Sequence, residues 1–235
     1  MNIKTAFLIA DLDETLCPCT TSKLLDKVGV DPKSFFPEGF PDQTPDIRAF
    51  NQKLVRELGP EITSRILREV AEDTVFFPGV GAFLDWARKF AVVGVLTCGP
   101  TDILRATAIA PKLDFIAGSE FKFQYRTQCL DGVRTDLLPD GKAALIDKIT
   151  GAVSEPSVCY IGDGLTDRHA WNVVRENLSG LSIQVARRED LHRLTKRVEA
   201  EVLVPADYRS GSLLQTAVAN FFRDKKHREG EKNGE

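Results

Sequence analysis

Six short apolar, β-branched runs punctuate the chain: TAFLIA (5–10), AVVGVLT (91–97), LDFIAG (113–118), SVCYIG (157–162), LSIQVA (181–186) and AEVLVP (200–205). Several are apolar almost throughout instead of alternating, which suits strands buried on both faces, as in a parallel sheet. Helical periodicity fills the gaps. GVGAFLDWARKF (79–90) sets Phe83, Trp86, Ala87 and Phe90 on one stripe. PTDILRATAIA (100–110), GKAALIDKITG (141–151) and LTDRHAWNVVREN (165–177) read as further helices. Strands alternating with helices predict an α/β fold built on a doubly wound, Rossmann-like parallel sheet.

Two segments break the alternation. Residues 18–78 carry turn formers at 31–46, followed by the helical patterns IRAFNQKLVREL and EITSRILREVAEDTVF. They are expected to form a mostly helical insertion after the first strand, leaving 1–17 and 79–222 as the α/β core. The second segment, 120–141, contains Asp131-Gly132 between β-compatible flanks, a hairpin signal. The tail 223–235 is charged, lacks apolar residues and is expected to be frayed or disordered.

Composition narrows the function classes. With 31 Lys and Arg against 34 Asp and Glu, the net charge is −3, so neither a nucleic-acid partner nor a polybasic membrane anchor is expected. No apolar run approaches the roughly 20 residues that cross a bilayer. The start of the chain does not read as a signal peptide. Five scattered cysteines fit reduced thiols in a cytoplasmic protein better than a disulfide framework. Cys17 and Cys19 form a C-x-C pair with no second Cys/His pair at zinc-site spacing. Nothing in the sequence sets an oligomeric state.

In open α/β sheets ligands bind beyond the carboxyl ends of the strands. The first strand is followed by Asp11, Asp13 and Thr15, and the second by Thr97, Cys98 and Gly99. The strand at 157–162 leads into GDGLTD, with Asp163 and Asp167, and Lys142 opens the helix before it. Four carboxylates on one rim need positive charge to offset them. An all-oxygen set suits a hard cation such as Mg²⁺, which often shares its shell with substrate phosphate. Lysine adds a compact charge for phosphate, and a hydroxyl beside a helix start suits phosphate oxygens. The composite points to metal-assisted phosphoryl transfer. A solvated acidic turn would account for any one of these motifs, but poorly for all of them on one edge.

D-x-D-x-T after the first strand, Thr after the second, a helix-opening Lys and GDGxxD together resemble the haloacid dehalogenase-like phosphohydrolase superfamily. The insertion position resembles that of its helical C1-type caps, and the FFPGV and GDG elements look like its phosphoserine phosphatase-like branch. The resemblance implies Asp11 as nucleophile and Asp13 as general acid and base. It implies Mg²⁺ on the Asp11 carboxylate, the Asp13 backbone carbonyl and the Asp163 carboxylate. Thr97, Cys98, Gly99 and Lys142 would bind the phosphoryl group, with Thr15 and Asp167 in support. The activity implied is hydrolysis of a small phosphorylated metabolite through an aspartyl-phosphate. A phosphomutase or a non-catalytic phosphometabolite-binding module are the alternatives. Asp13 supplies the acid that a phosphate leaving group needs, which sets the chain apart from a dehalogenase.

Three positions depart from the phosphoserine phosphatase pattern. Thr20 stands nine positions after Asp11, where that group carries a Glu that reads the substrate's amino group. TCGP replaces Ser-Gly-Gly, and Thr166 replaces a frequent Asn. Elsewhere, Glu14 is expected to be solvated or locally bonded, and His169 to be a surface or helix-packing residue. Trp86 and Trp171 are expected to pack helices on the sheet. Arg48, Arg56, Arg65 and Arg68 are expected on insertion helices, and Phe35, Phe36 and Phe40 to pack the insertion or cover substrate.

Overall fold

The computed structural model describes residues 5–35, 46–191 and 199–232. Phe36, Phe40 and residues 233–235 lie outside the described residues. Seven strands form one sheet: β1 (Ala6–Ala10), β2 (Val92–Pro100), β3 (Phe115–Phe123), β4 (Leu130–Thr135), β5 (Ser157–Gly162), β6 (Leu181–Ala186) and β7 (Val202–Pro205). Their order is β4-β3-β2-β1-β5-β6-β7, with only the β3–β4 pairing antiparallel. β1 is central, pairing Ala10 with Val95 on one side and with Ile161 on the other. The strand order reverses at β1, so the crevice beyond its carboxyl end is the favoured ligand position.

The all-apolar character of β1 follows from two buried faces. Leu8 and Ala10 join one cluster with Phe83, Leu84, Val93, Val95, Ile161 and Leu214. Phe7 and Ile9 join another with Leu96, Ile146, Tyr160 and Trp171. Helices α5 (Val80–Ala87) and α9 (Leu213–Lys232) cover the first face. Helices α7 (Pro139–Thr150) and α8 (Arg168–Asn172), the latter widening into a π turn over Val173–Asn177, cover the second. Trp171 is buried and Trp86 packs against Phe83 and Phe90, as expected of helix-to-sheet contacts. Helix α9 runs on to Lys232, so most of the charged tail expected to fray continues a helix anchored upstream by Leu214, Val218, Phe221 and Phe222.

The segment between β1 and β2 folds as α1 (Thr20–Lys27), α2 (Pro32–Phe35), α3 (Ile47–Leu58) and α4 (Ser64–Glu72). Side chains cap three of them: Cys19 Sγ, Asp46 Oδ1 and Thr63 Oγ1 accept the Ser22, Ala49 and Ile66 N–H groups. The two ends of the insertion meet where the Phe77 N–H donates to the Leu16 carbonyl at 2.9 Å. Phe76 and Phe77 already pack on the core cluster, slightly ahead of the expected boundary at 78.

The 120–141 segment forms the β3–β4 hairpin, but Asp131-Gly132 lies within β4 and is not its turn. The chain reverses over 124–129, where Gln128 adopts φ 56° and its N–H donates to the Gln124 carbonyl. Propensity alone favoured Asp-Gly; docking against the insertion overrides it. The Leu130 N–H donates to the Ile62 carbonyl and the Ser64 N–H to the Gln128 carbonyl. Phe121 and Leu130 therefore sit in one cluster with Leu24, Leu54, Leu67 and Val70 of the insertion, joined by Ile103 of α6 (Thr101–Ala106). The hairpin is the floor on which the helices rest.

Candidate active site

β1 delivers Asp11 to the sheet edge, where its N–H donates to the Ile161 carbonyl at 2.9 Å and continues the β1–β5 ladder by one residue. Lys142, on the first turn of α7, crosses to it: its Nζ donates to Asp11 Oδ1 at 2.8 Å and to Asp167 Oδ1 at 2.7 Å. The side chains of Lys142 and Asp167 are fully buried. Burial pulls the ammonium down, but the Asp11 and Asp167 carboxylates outweigh it and hold Lys142 well above its ordinary range.

Asp167 faces inward with all its acceptor capacity in use. Oδ1 accepts from Lys142 and from the Tyr160 hydroxyl at 2.7 Å; Oδ2 accepts the Asp163 and Gly164 N–H groups at 3.1 and 3.3 Å. It therefore fixes both Lys142 and the loop that carries Asp163. Gly162 makes room for this: a Cβ there would stand 2.4 Å from Asp167 Cγ. Asp163 itself accepts from Thr15 Oγ1 at 3.4 Å, and its carbonyl accepts from Gln184 Nε2 at 3.0 Å. The Thr15 carbonyl in turn accepts the Tyr208 hydroxyl at 2.7 Å.

Asp13 turns the other way. Its Oδ1 accepts the Thr20 N–H at the start of α1. A Cβ on Gly99 would lie 2.9 Å from its Oδ2 and 3.3 Å from Thr97 Oγ1. Asp13 thus spans the gap between the insertion and the Thr97–Gly99 turn. Thr97 Oγ1 accepts the Gly99 N–H at 3.0 Å, which leaves the Thr97 O–H to donate elsewhere. Burial pushes Asp13 up against the opposing Thr20 N–H. Burial also pushes Asp11 up to about 7 despite the Lys142 ammonium, and pushes Asp163 well above the usual carboxylate range, aided by the Asp167 and Asp11 charges.

Oxygens of Asp11, Asp163 and Asp167 lie within 4.8 Å of one another. Three carboxylates here face one ammonium, and two of them, Asp11 and Asp163, are held in a state that a proton or a cation would relieve. An all-oxygen donor set of this kind fits a hard divalent cation.

The other residues singled out by sequence divide cleanly. All five cysteines are free thiols. Burial pushes Cys98 and Cys19 each up to about 12, so both are protonated at neutral pH and unsuited to nucleophilic work. His169 is exposed on α8. Arg56 and Arg65 pair with Glu57 and Glu69, Arg48 approaches Asp136 at 3.8 Å, and Arg68 donates to the Ser64 carbonyl, all on the solvent side. Phe35 is buried edge-to-face against Phe50, 5.6 Å between centroids. Glu14, in the left-handed region at φ 57°, accepts the Cys19 N–H and pairs with Arg187 at 2.7 Å, so its bonding is long-range as well as local. Sequence reading passed over Tyr160, Gln184, Tyr208 and Arg187. A signal existed for Tyr160: a tyrosine inside an otherwise apolar strand needs a buried partner for its hydroxyl.

A doubly wound sheet with an acid-lined crevice at the central strand, a buried lysine bridge and a helical insertion after the first strand defines a hydrolase of the haloacid dehalogenase type. The match to the family model for haloacid dehalogenase-like hydrolase spans residues 8–171, and the chain belongs to that family. Among solved structures, a phospho-aspartyl intermediate analogue of phosphoserine phosphatase superposes with TM-score 0.68 at 17% identity, over 91% of this chain and 97% of that one. A HAD family hydrolase from Salmonella enterica subsp. enterica serovar Typhi gives 0.67 at 12%, over 85% and 67%. Cytosolic 5′-nucleotidase IIIB bound to cytidine gives 0.61 at 13%, over 96% and 88%. At these identities the likeness is one of fold. No curated protein matches the chain.

Proposed function

We propose that this chain is a Mg²⁺-dependent phosphatase that hydrolyses a small phosphomonoester through an aspartyl-phosphate on Asp11. The observation that carries the reading is the buried Lys142 bridge from Asp11 to Asp167, set beside Asp163. The bridge fixes a carboxylate as a nucleophile while leaving positive charge next to it for phosphoryl oxygens.

In this reading the Asp11 carboxylate attacks phosphorus and the ester P–O bond breaks. Asp13 donates its proton to the departing oxygen; burial favours the protonated form that this step needs. Asp13 then takes a proton from the water that attacks the acyl-phosphate, releasing inorganic phosphate and restoring Asp11. Thr97, Cys98, Gly99 and Lys142 hold the phosphoryl oxygens, and Thr15 and Asp167 support the loops. Asp11, the Asp13 backbone carbonyl and Asp163 would hold Mg²⁺. When bound, the cation supplies charge that offsets the carboxylates and the phosphoryl oxygens.

The insertion shapes the leaving-group side as a cap. Thr20 offers no carboxylate there: its N–H is committed to Asp13 and its hydroxyl is buried without a partner. That argues against an aminated alcohol such as serine as the leaving group.

The test is hydrolysis of p-nitrophenyl phosphate with Mg²⁺, then of a panel of phosphorylated metabolites. Asp11→Asn is expected to abolish turnover without unfolding the protein. Near-normal Mg²⁺-dependent hydrolysis by that variant would rule the assignment out. Free phosphate from the preferred metabolite separates a phosphatase from a phosphomutase, which returns the phosphoryl group to its substrate.

A further inference from the structure

We infer that Ser119, a residue outside every motif of the site, is a positioning residue that sets the shape of the phosphate-binding turn, and that Asn51 extends this control to the insertion. The inference rests on the phosphatase reading of that turn.

The register of the β2–β3 ladder places Thr97 opposite Gly118 and then Pro100 opposite Ser119. Cys98 and Gly99 are thus two extra residues in β2, a bulge that ends regular pairing at the site. A bulge frees backbone groups that the ladder would otherwise satisfy, and a buried one needs replacement partners. Ser119 supplies one. Its hydroxyl donates to the Cys98 carbonyl at 2.8 Å and accepts the Leu137 N–H at 3.1 Å. The second lone pair faces Asn51 Nδ2 at 3.5 Å. One donor and two acceptors are all that a hydroxyl has, so Ser119 is fully used at no solvent exposure.

Fixing the Cys98 carbonyl fixes the peptide plane between Cys98 and Gly99. That plane decides where Gly99 sits against Asp13 and how the Gly99 N–H reaches Thr97 Oγ1. Ser119 therefore acts through the turn and touches no reacting group.

Asn51 brings the insertion into the same network. It is buried on α3, and its Nδ2 also donates to Asp136 Oδ1 at 2.7 Å. Asp136 immediately precedes Leu137, whose N–H is held by Ser119. Both contacts of Asn51 lead to the same hydroxyl. An insertion helix is therefore bonded to the support of the phosphate turn, in addition to resting on the hairpin.

The experiment compares wild type, Ser119→Ala, Asn51→Leu and a control, Thr150→Val. The control also deletes a buried hydroxyl, one that donates only to the Ile146 carbonyl within α7. Each is assayed with p-nitrophenyl phosphate and Mg²⁺, and inorganic phosphate is titrated as a competitive inhibitor. Ser119→Ala is expected to weaken phosphate inhibition and raise KM about tenfold, the effect of one lost buried hydrogen bond, with a smaller change in kcat. Asn51→Leu is expected to move the same two constants several-fold in the same direction, although it lies on the insertion. Thr150→Val is expected to leave both unchanged at a comparable melting temperature. Unchanged phosphate inhibition in a folded Ser119→Ala overturns the inference and leaves the phosphatase reading standing. If Ser119→Ala does not fold, Asn51→Leu decides: wild-type constants there overturn it. Absence of Mg²⁺-dependent hydrolysis in wild type overturns the phosphatase reading itself.

Discussion

Lys142 and Asp167 meet at 2.7 Å with neither side chain exposed to solvent. The pair holds because each partner has further bonds: Lys142 reaches Asp11, and Asp167 receives Tyr160 and two backbone N–H groups. A buried ion pair of this kind is costly to break from one side, because the remaining charge stays desolvated. Asp167→Ala is accordingly expected to destabilise the fold by about 3–5 kcal/mol and to lower turnover at least tenfold. Urea denaturation and steady-state kinetics measure the two effects. A loss under about 1 kcal/mol would mean that the bridge is not a structural element.

Gly162 tests the same network from the backbone. A methyl group there meets Asp167 Cγ and Oδ2 at 2.4 Å, and that carboxylate cannot retreat without releasing Lys142 or Tyr160. Gly162→Ala is expected to cost about 2–3 kcal/mol, in the range of overpacked cores. An Asp167→Ala background removes the Cγ and Oδ2 contacts and leaves only the Cβ of residue 167, 2.7 Å away, so the added cost should shrink without vanishing. Equal costs in both backgrounds would break the link between the two residues.

The raised carboxylates set a pH dependence whose sign is fixed. Asp11 is pushed up to about 7 and Asp163 well above its ordinary value, both chiefly by burial. A carboxylate raised on folding binds its proton more tightly in the native state. The associated stability is complete below pH 4 and is lost as pH rises through about 7. For Asp11 alone the loss is on the order of 4 kcal/mol at most. A cation on these carboxylates opposes that loss by binding the charged form. Metal-free protein is therefore expected to lose melting temperature between pH 5 and pH 8, and Mg²⁺ to restore far more of it at pH 8. Equal Mg²⁺-induced shifts at both pH values would show that these groups do not bind the ion.

The strands were legible because burial on both faces forces apolar runs, and β5 and β6 coincide with SVCYIG and LSIQVA. The acids were legible because they stand together at the ends of apolar strands, and the structure brings Asp11, Asp163, Asp167 and Lys142 within bonding reach. What sequence did not reveal is the support beneath them. Ser119 and Asn51 are 68 positions apart, and ordinary polar residues carry no local mark of a long-range partner. The hairpin turn was misplaced for a related reason. Asp131-Gly132 has the right local preference, but bonds from Leu130 to Ile62 and from Ser64 to Gln128 fix the reversal at 124–129. Helix α9 outlasts the composition of its tail because Phe221 and Phe222 anchor it on the core.

Gly99 offers the sharpest separation of chemistry from stability. Its missing side chain leaves room for Asp13 Oδ2, which would stand 2.9 Å from a Cβ there, and for Thr97 Oγ1 at 3.3 Å. Backbone atoms are not what that Cβ would strike, so the fold can absorb a methyl group by moving the tip of Asp13. Asp13 cannot move freely, since its other oxygen caps α1 through the Thr20 N–H. The displacement therefore falls on the carboxyl oxygen that faces the Thr97–Gly99 turn, the one that exchanges a proton with the leaving oxygen in the proposed mechanism. Gly99→Ala is expected to lower kcat by about 10²-fold, the usual worth of a positioned acid, while changing stability by less than about 1 kcal/mol. The Mg²⁺ requirement should persist, because Asp11 and Asp163 are untouched. Rapid-quench measurement with p-nitrophenyl phosphate, whose leaving group needs little protonation, should show a smaller loss than an alkyl phosphate. Equal losses on the two substrates would place the defect in phosphate binding and not in the acid.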